Sequence, residues 1–378
     1  MRIVADENIP YAQEAFSAFG EVRLLSGREI TAHQLRDADA LLVRSITPVN
    51  QALLEGTRIR FVGTATIGTD HVDEAYLSAQ HLAFAFAPGC NANSVGEYIA
   101  AALLVVAERH GLTLGGSSLG IIGHGNAGKA TEAKARALGM QVVLHDPPRA
   151  EQTGDNRYES LDAVLACDFI SLHVPLTRNG PHPTYHLVDE SFLQAMAPHA
   201  FLLNSARGPV VDNLALLLSL QQRQIAGAVL DVWEGEPGFS PPLAQRVDVA
   251  TPHIAGYSFD GKVAGTRQIY EAFCACFGVD TPWPVEPLLP TPSVPTLTLP
   301  PLGNATISSA VWAVYDILTD DAALRQLLPL GERERAAGFD RLRKEYPQRR
   351  EFRHTRITLD PADAALENQL RALGFTIA

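Results

Sequence analysis

The chain has 378 residues, 46% hydrophobic and 19% charged, and carries a formal charge of −12. Such a length holds two or three domains with cores of their own, and the negative charge argues against a nucleic-acid partner, which needs basic patches. No apolar run is long enough for a membrane span, and Met1 leads directly into the strand-like Arg2-Ile3-Val4-Ala5, so no signal peptide is expected. Cys90, Cys167, Cys274 and Cys276 form neither a CxxC pair nor a His/Cys cluster at zinc spacing, which suggests reduced thiols in a cytoplasmic protein with no metal site.

From the amino terminus, short apolar stretches at 2–5, 22–25, 40–44, 60–65 and 82–87 alternate with helical stretches such as 11–19 and 50–54. This alternation predicts parallel βα units with helices on both faces of a sheet. Residues 94–110 follow, apolar at helical spacing, with a start at Asn93-Ser94 and a stop at Gly111. A second series of strands runs through 119–122, 142–145, 169–174, 201–204, 228–232 and 247–250. Two such series imply two doubly wound α/β domains.

Eight prolines among the 23 residues 281–303 cannot form a helix or a central strand, so this segment reads as a linker. Beyond it, helices at 307–318, 322–328, 333–345 and 361–373 and a strand at 352–359 suggest a separate small α+β unit. Between Gly331 and Arg356 nine Lys or Arg stand against five Asp or Glu. Such a stretch is a solvated helix face, a subunit contact or an anion site. The apolar run 310–315 exceeds what so small a unit buries alone, and predicts a two-fold contact between chains. Arg349 and Arg350 are then candidates to reach a partner's substrate phosphate.

The turn Gly123-His124-Gly125-Asn126-Ala127-Gly128 joins strand 119–122 to a helix over 126–138. A glycine pattern alone is weak, but here a second strand ends at Asp146, 18 residues after Gly128. This is the context in which glycines admit a pyrophosphate to the free amides of Asn126 and Ala127. Asp146 is placed to accept from ribose hydroxyls and to repel a 2′-phosphate, favouring NAD over NADP, with Arg149 nearby softening that preference. His173-Val174-Pro175 ends one strand and could wall the adenine pocket. Ser205-Ala206-Arg207-Gly208 ends the next, and Asp231 ends another, placed to receive the nicotinamide amide. Arg207, Glu236 and His253 all follow strand ends, where ligands of open α/β sheets bind. A cation for a carboxylate, an imidazole for a hydroxyl proton and a carboxylate to set the imidazole tautomer are what hydride transfer from a 2-hydroxy acid requires.

Gly68-Thr69-Asp70-His71-Val72-Asp73, the glycine turn, Asn204-Ser205-Ala206-Arg207-Gly208, Asp231-Val232-Trp233-Glu234-Gly235-Glu236-Pro237 and Thr251-Pro252-His253-Ile254-Ala255-Gly256 occur in this order. Over roughly residues 1–285 the chain therefore resembles the D-isomer-specific 2-hydroxyacid dehydrogenases. The resemblance implies a flavodoxin-like substrate domain over 1–95 completed by 257–285, a Rossmann NAD domain over 96–256 and a C-terminal dimerisation domain over 286–378. It implies catalytic roles for Arg207, Glu236 and His253. Contacts to NAD are implied for Gly123, Gly125, Asn126, Ala127, Gly128, Asp146, Val174, Ala206, Arg207, Asp231 and Gly256, and contacts to substrate for Ser45, Thr66 and Tyr257. Val174 departs from the Thr common there in relatives. The C-terminal unit, Ala5-Asp6-Glu7-Asn8-Ile9-Pro10, Val43-Arg44-Ser45 and Gly63-Thr64-Ala65-Thr66-Ile67-Gly68 narrow the resemblance to a homodimeric branch acting on a phosphorylated hydroxy acid. A phosphoglycerate dehydrogenase with a regulatory tail, and an NAD(H)-sensing protein without turnover, are the alternatives.

Overall fold

The apolar stretches of the first 87 residues form five strands: β1 (Arg2–Asp6), β2 (Glu21–Leu25), β3 (Ala40–Val43), β4 (Phe61–Thr64) and β5 (Ala83–Ala85). They pair in parallel in the order β2-β1-β3-β4-β5. Successive side chains leave opposite faces, and both faces are covered, which is why the strands read as continuous apolar runs. Ile3, Leu42 and Phe61 pack with Ile269 and Phe273 of helix Phe259–Phe277, while Val4, Leu41 and Val62 pack with Leu35, Leu53 and Leu77. The computed structural model describes residues 1–279 and 281–378. It divides into two compact units, Met1–Asn91 with Ser258–Thr291, and Ala92–Tyr257 with Pro292–Ala378.

In the second unit β6 (Ser118–Ile122), β7 (Gln141–His145), β8 (Phe169–Leu172), β9 (Phe201–Asn204), β10 (Gly227–Leu230) and β11 (Val249–Ala250) form a parallel sheet. Its order is β11-β10-β9-β8-β6-β7, and a single parallel bridge from Leu144 to Tyr158 extends it beyond β7. The direction in which the chain builds the sheet reverses between β6 and β8. That switch point is where an α/β sheet opens a crevice for a dinucleotide.

Helix Ala92–His110 is buried from Ser94 to Ala107, with no polar face. A helix apolar all round must be covered on every side. One cover is helix Asn126–Ala137, and another comes from the carboxyl-terminal 87 residues. There, Ala310, Val311 and Tyr315 of the expected subunit patch are buried in the same core as Tyr98, Leu103 and Val106. These three residues are thus covered within the chain, and the small carboxyl-terminal domain shares cores with 92–257. The expected linker also contains β12 (Thr296–Leu299), which joins β13 (Arg356–Leu359) and β14 (Thr376–Ile377) in a parallel sheet of order β12-β13-β14. Prolines 295 and 300 bracket β12, and its place at the edge asks for few of the amide donors that proline lacks.

Two buried charges fasten this segment to the helix. Arg349 donates from Nη1 to Oε2 of Glu97 over 2.9 Å, and Phe352 N–H donates to Oε1 over 2.9 Å. Burial pushes the Glu97 carboxyl up to about 7, against the pull of Arg349. The Arg349 guanidinium also lies 4.1 Å from the centre of the Tyr315 ring. Arg349 and Arg350 are 8% and 6% exposed, so neither is the exposed anion-binding side chain that the basic stretch suggested. Arg349→Met strands Glu97 and should cost about 3–5 kcal/mol of stability. Chemical denaturation checks this; an unchanged midpoint would show that the pair contributes nothing.

Candidate active site

The glycine turn leaves β6 with Gly123 at φ +91, a left-handed backbone. A Cβ there would lie 2.8 Å from the carbonyl carbon of His173 and 2.9 Å from Cγ1 of Val174. At Gly128 it would lie 2.2 Å from the Gly123 carbonyl oxygen, so both glycines are required by the protein itself. Gly125 is different: an added Cβ meets nothing within 4 Å. Helix Asn126–Ala137 begins directly after it, and its first-turn amides lack helical acceptors. These features fit a pyrophosphate, whose charge the amides and helix dipole would hold.

Asp146 terminates β7 and uses both oxygens locally. Oδ1 accepts from Arg149 N–H over 3.1 Å, and Oδ2 accepts from His124 N–H over 2.7 Å. Arg149 Nε stands 3.7 Å from the same carboxylate. His124 is 1% exposed, with its ring between Glu132 and Tyr158. His173 carries a buried Nδ1 without a protein partner, and burial pulls its imidazole down to about 3.

β9, β10 and β11 are neighbours, so Arg207, Glu236 and His253 leave adjacent strand ends. Asn204 fixes the first loop, its amide donating to Arg207 O over 3.0 Å and its Oδ1 accepting from Ala206 N–H over 3.0 Å. Gly208 then passes so close to the next loop that a Cβ would lie 1.9 Å from Trp233 O. The glycine after Arg207 therefore sets the separation of the Arg207 and Glu236 loops. Glu234 pins the second loop from its far side, accepting from Asn213 N–H over 2.9 Å and meeting His186 Nε2 at 2.7 Å.

Asp231 organises the third loop. Its Oδ1 accepts from the Thr251 hydroxyl and from Ile254 N–H, both at 2.7 Å, and its Oδ2 accepts from Ala255 N–H at 2.9 Å. Its backbone carbonyl accepts from His253 N–H at 2.7 Å. Three donors fit a carboxylate, although burial raises its pKa, with the His253 charge working the other way. These bonds hold His253 at φ +58, a conformation an L-residue keeps only when its surroundings impose it. Nδ1 of His253 meets Oε2 of Glu236 at 2.8 Å, while Oε1 of Glu236 accepts from Trp233 N–H at 2.8 Å. Burial would raise the Glu236 carboxyl, but the His253 charge and hydrogen bond, the Trp233 amide and Arg343 together hold it below its usual range. With an anion at Nδ1, that nitrogen keeps its hydrogen and Nε2 is the ring's basic atom.

Gly256 and Tyr257 close this loop, with Tyr257 N–H donating to Ile254 O over 2.8 Å. The Tyr257 ring meets Tyr346 edge-on at 5.8 Å and lies 5.7 Å from the guanidinium of Arg343. In the other unit, Ser45 and Thr66 follow the paired strands β3 and β4. Thr66 donates to Gly68 O over 3.1 Å, with Thr64 Oγ1 at 2.7 Å and His71 Nε2 in turn 3.1 Å from Thr64. Neither Gly208, Asn204 and Glu234 as loop anchors nor Arg343 was singled out by sequence reasoning; only the local excess of basic residues pointed toward the last.

A doubly wound sheet with a glycine turn at its switch point, and an imidazole–carboxylate pair at neighbouring strand ends, define a nucleotide-dependent dehydrogenase. Residues 101–255 match the family model "D-isomer specific 2-hydroxyacid dehydrogenase, NAD binding domain", and residues 288–374 match a "Domain of unknown function (DUF3410)". Among solved structures, the TT0316 protein of Thermus thermophilus superposes with TM-score 0.63 at 26% identity, over 75% of this chain and 100% of that one. D-lactate dehydrogenase of Aquifex aeolicus, complexed with NAD and lactic acid, superposes with TM-score 0.62 at 25% identity, over 74% and 96% of the two chains. Erythronate-4-phosphate dehydrogenases of Salmonella arizonae and of Escherichia coli O1:K1 are each 46% identical over 99% of this chain and 98% of their own. The chain belongs to the erythronate-4-phosphate dehydrogenase family, within the NAD-dependent D-isomer-specific 2-hydroxyacid dehydrogenases.

Two glycine substitutions separate loop spacing from cofactor binding. Gly208→Ala must push the Arg207 and Glu236 loops apart and should lower kcat/KM by at least about tenfold, because displacement of reacting groups by an ångström is that costly. Gly125→Ala should leave the melting temperature unchanged while weakening NAD in a fluorescence titration. Wild-type NAD affinity in the second variant would show that the ligand does not approach Gly125.

Proposed function

We propose that the protein oxidises 4-phospho-D-erythronate to (R)-3-hydroxy-2-oxo-4-phosphooxybutanoate, within pyridoxal 5′-phosphate biosynthesis. The observation that carries the chemistry is the 2.8 Å contact between His253 Nδ1 and Glu236, which leaves Nε2 to take the C2 hydroxyl proton. Glu236 orients the ring and compensates the imidazolium that forms. Arg207 holds the substrate carboxylate and stabilises charge on the reacting oxygen. When bound, NAD supplies the hydride acceptor. Gly123, Gly125, Asn126, Ala127 and Gly128 hold its pyrophosphate, Asp146 its ribose and Val174 its adenine, with Ala206, Asp231 and Gly256 toward the nicotinamide end. Ser45, Thr66 and Tyr257 hold the substrate. The choice of substrate rests on the two erythronate-4-phosphate dehydrogenases, matched along nearly the whole chain.

The same reading makes the protein a cytoplasmic homodimer. The four free cysteines fit a reducing compartment. With Ala310, Val311 and Tyr315 buried, the dimer face is drawn instead around Leu112 and Leu302, which are 42% and 66% exposed, together with the half-buried Trp312. Leu112→Glu with Leu302→Glu should then yield monomers in analytical ultracentrifugation, whereas a persistent dimer would place the contact elsewhere.

His253→Ala should slow NADH formation by about 100- to 10,000-fold, the usual share of general acid–base catalysis, with NAD affinity intact. Stopped-flow assays with 4-phosphoerythronate and 3-phosphoglycerate test both residue and substrate. Near wild-type turnover in the variant, or preference for phosphoglycerate, would reject the corresponding part of the reading. Asp146→Ala should narrow the preference for NAD over NADP by removing a repelling charge. The ratio of kcat/KM for the two cofactors reads this directly.

A further inference from the structure

The carboxyl-terminal segment touches the loops of the acid–base pair from both ends. Before His253, Asp321 accepts from Ala250 N–H over 2.7 Å, and Arg325 donates to Ala244 O over 2.6 Å and to Val247 O over 2.9 Å. After Glu236, the ring of Phe339 packs against Phe239 with centroids 5.8 Å apart. Phe339 is fully buried in helix Glu332–Lys344, so this contact fixes the rotation of the helix. Arg343 stands four residues further on, hence on the same face. Its guanidinium lies 5.7 Å from the centre of the Tyr257 ring. Its charge acts on Glu236 and, more weakly, on Asp231. Arg343 Nε is buried without a protein partner. A half-buried cation is costly unless it serves neighbouring charges, and the groups whose charge this one meets are Tyr257, Glu236 and Asp231.

We propose that the carboxyl-terminal segment is a working part of the active site of its own chain, delivering Arg343 as a positioning residue for Glu236 and Tyr257. Helix Glu332–Lys344 is the lever: Phe339 anchors it beside the Glu236 loop, and Arg343 presents the charge. The cation helps keep Glu236 an anion, so the carboxylate stays committed to His253 Nδ1. The same guanidinium stands over the ring of Tyr257, which by the reading above meets the substrate. This inference rests on that reading of the His253–Glu236 pair.

Arg343→Met, Arg343→Lys and Arg341→Met, the last an exposed cation of the same helix, test it in the full-length enzyme. In Arg343→Met, kcat should fall at least about tenfold, toward the lower range of general acid–base effects, while NAD affinity and melting temperature hold. Arg343→Lys should recover most of that loss, and Arg341→Met should match the wild type. Arg343→Gln carries the comparison if the methionine variant does not fold. Wild-type kinetics in Arg343→Met, or equal losses in the uncharged and lysine variants, overturns the proposal in favour of packing alone. If the wild type ignores 4-phosphoerythronate, the substrate assignment fails by itself. The same variants are then compared on whichever 2-hydroxy acid the wild type oxidises.

Discussion

The buried carboxylate of Asp231 is the constraint on which the catalytic geometry depends. It receives one hydroxyl and two amide hydrogens from residues 251–255, and its own carbonyl takes the amide of His253. Those bonds compensate for removing a charge from water, and they force His253 into a left-handed backbone that aims its ring at Glu236. The loop thereby becomes a rigid mount. Gly208 performs the matching task for Arg207, since only a missing side chain lets its loop lie against Trp233.

A second layer of constraint comes from the end of the chain. Helix Ala92–His110 is buried from Ser94 to Ala107, and side chains of the small carboxyl-terminal domain, from Ile307 to Phe375, help complete its burial. Glu97 and Arg349 then form an ion pair that neither could leave without stranding the other in the interior. Lys134 adds a third tie, donating to the Leu373 carbonyl at the end of the last helix over 2.6 Å. The segment that seals the core also braces the edge strand before His253 through Asp321. Closure of the core and support of the strand before His253 are joined in one piece of chain.

Much of this was legible in the residues. Alternating apolar runs revealed two parallel sheets, and the spacing from Gly128 to Asp146 marked the nucleotide crevice, because strand and turn chemistry are local. Glu236 and His253 were legible as a pair because each follows a strand end, and the structure sets them 2.8 Å apart. The fate of 310–315 was not legible: an apolar patch shows that something covers it, not whether the cover is another chain or helix Ala92–His110. β12 hid among prolines because an edge strand tolerates them. Arg349, Arg350 and Arg343 looked alike in a basic stretch. Only tertiary contacts separate a core ion pair from a cation over the Tyr257 ring.

The most direct test of the account follows the hydrogen at C2. Wild-type enzyme is given NAD and 4-phosphoerythronate carrying deuterium at C2, and the reduced cofactor is examined by mass spectrometry and NMR. The account predicts deuterium at C4 of the reduced nicotinamide and a 2-oxo product that retains its phosphate. Turnover that leaves the label on the substrate carbon, or releases it to water, would contradict it.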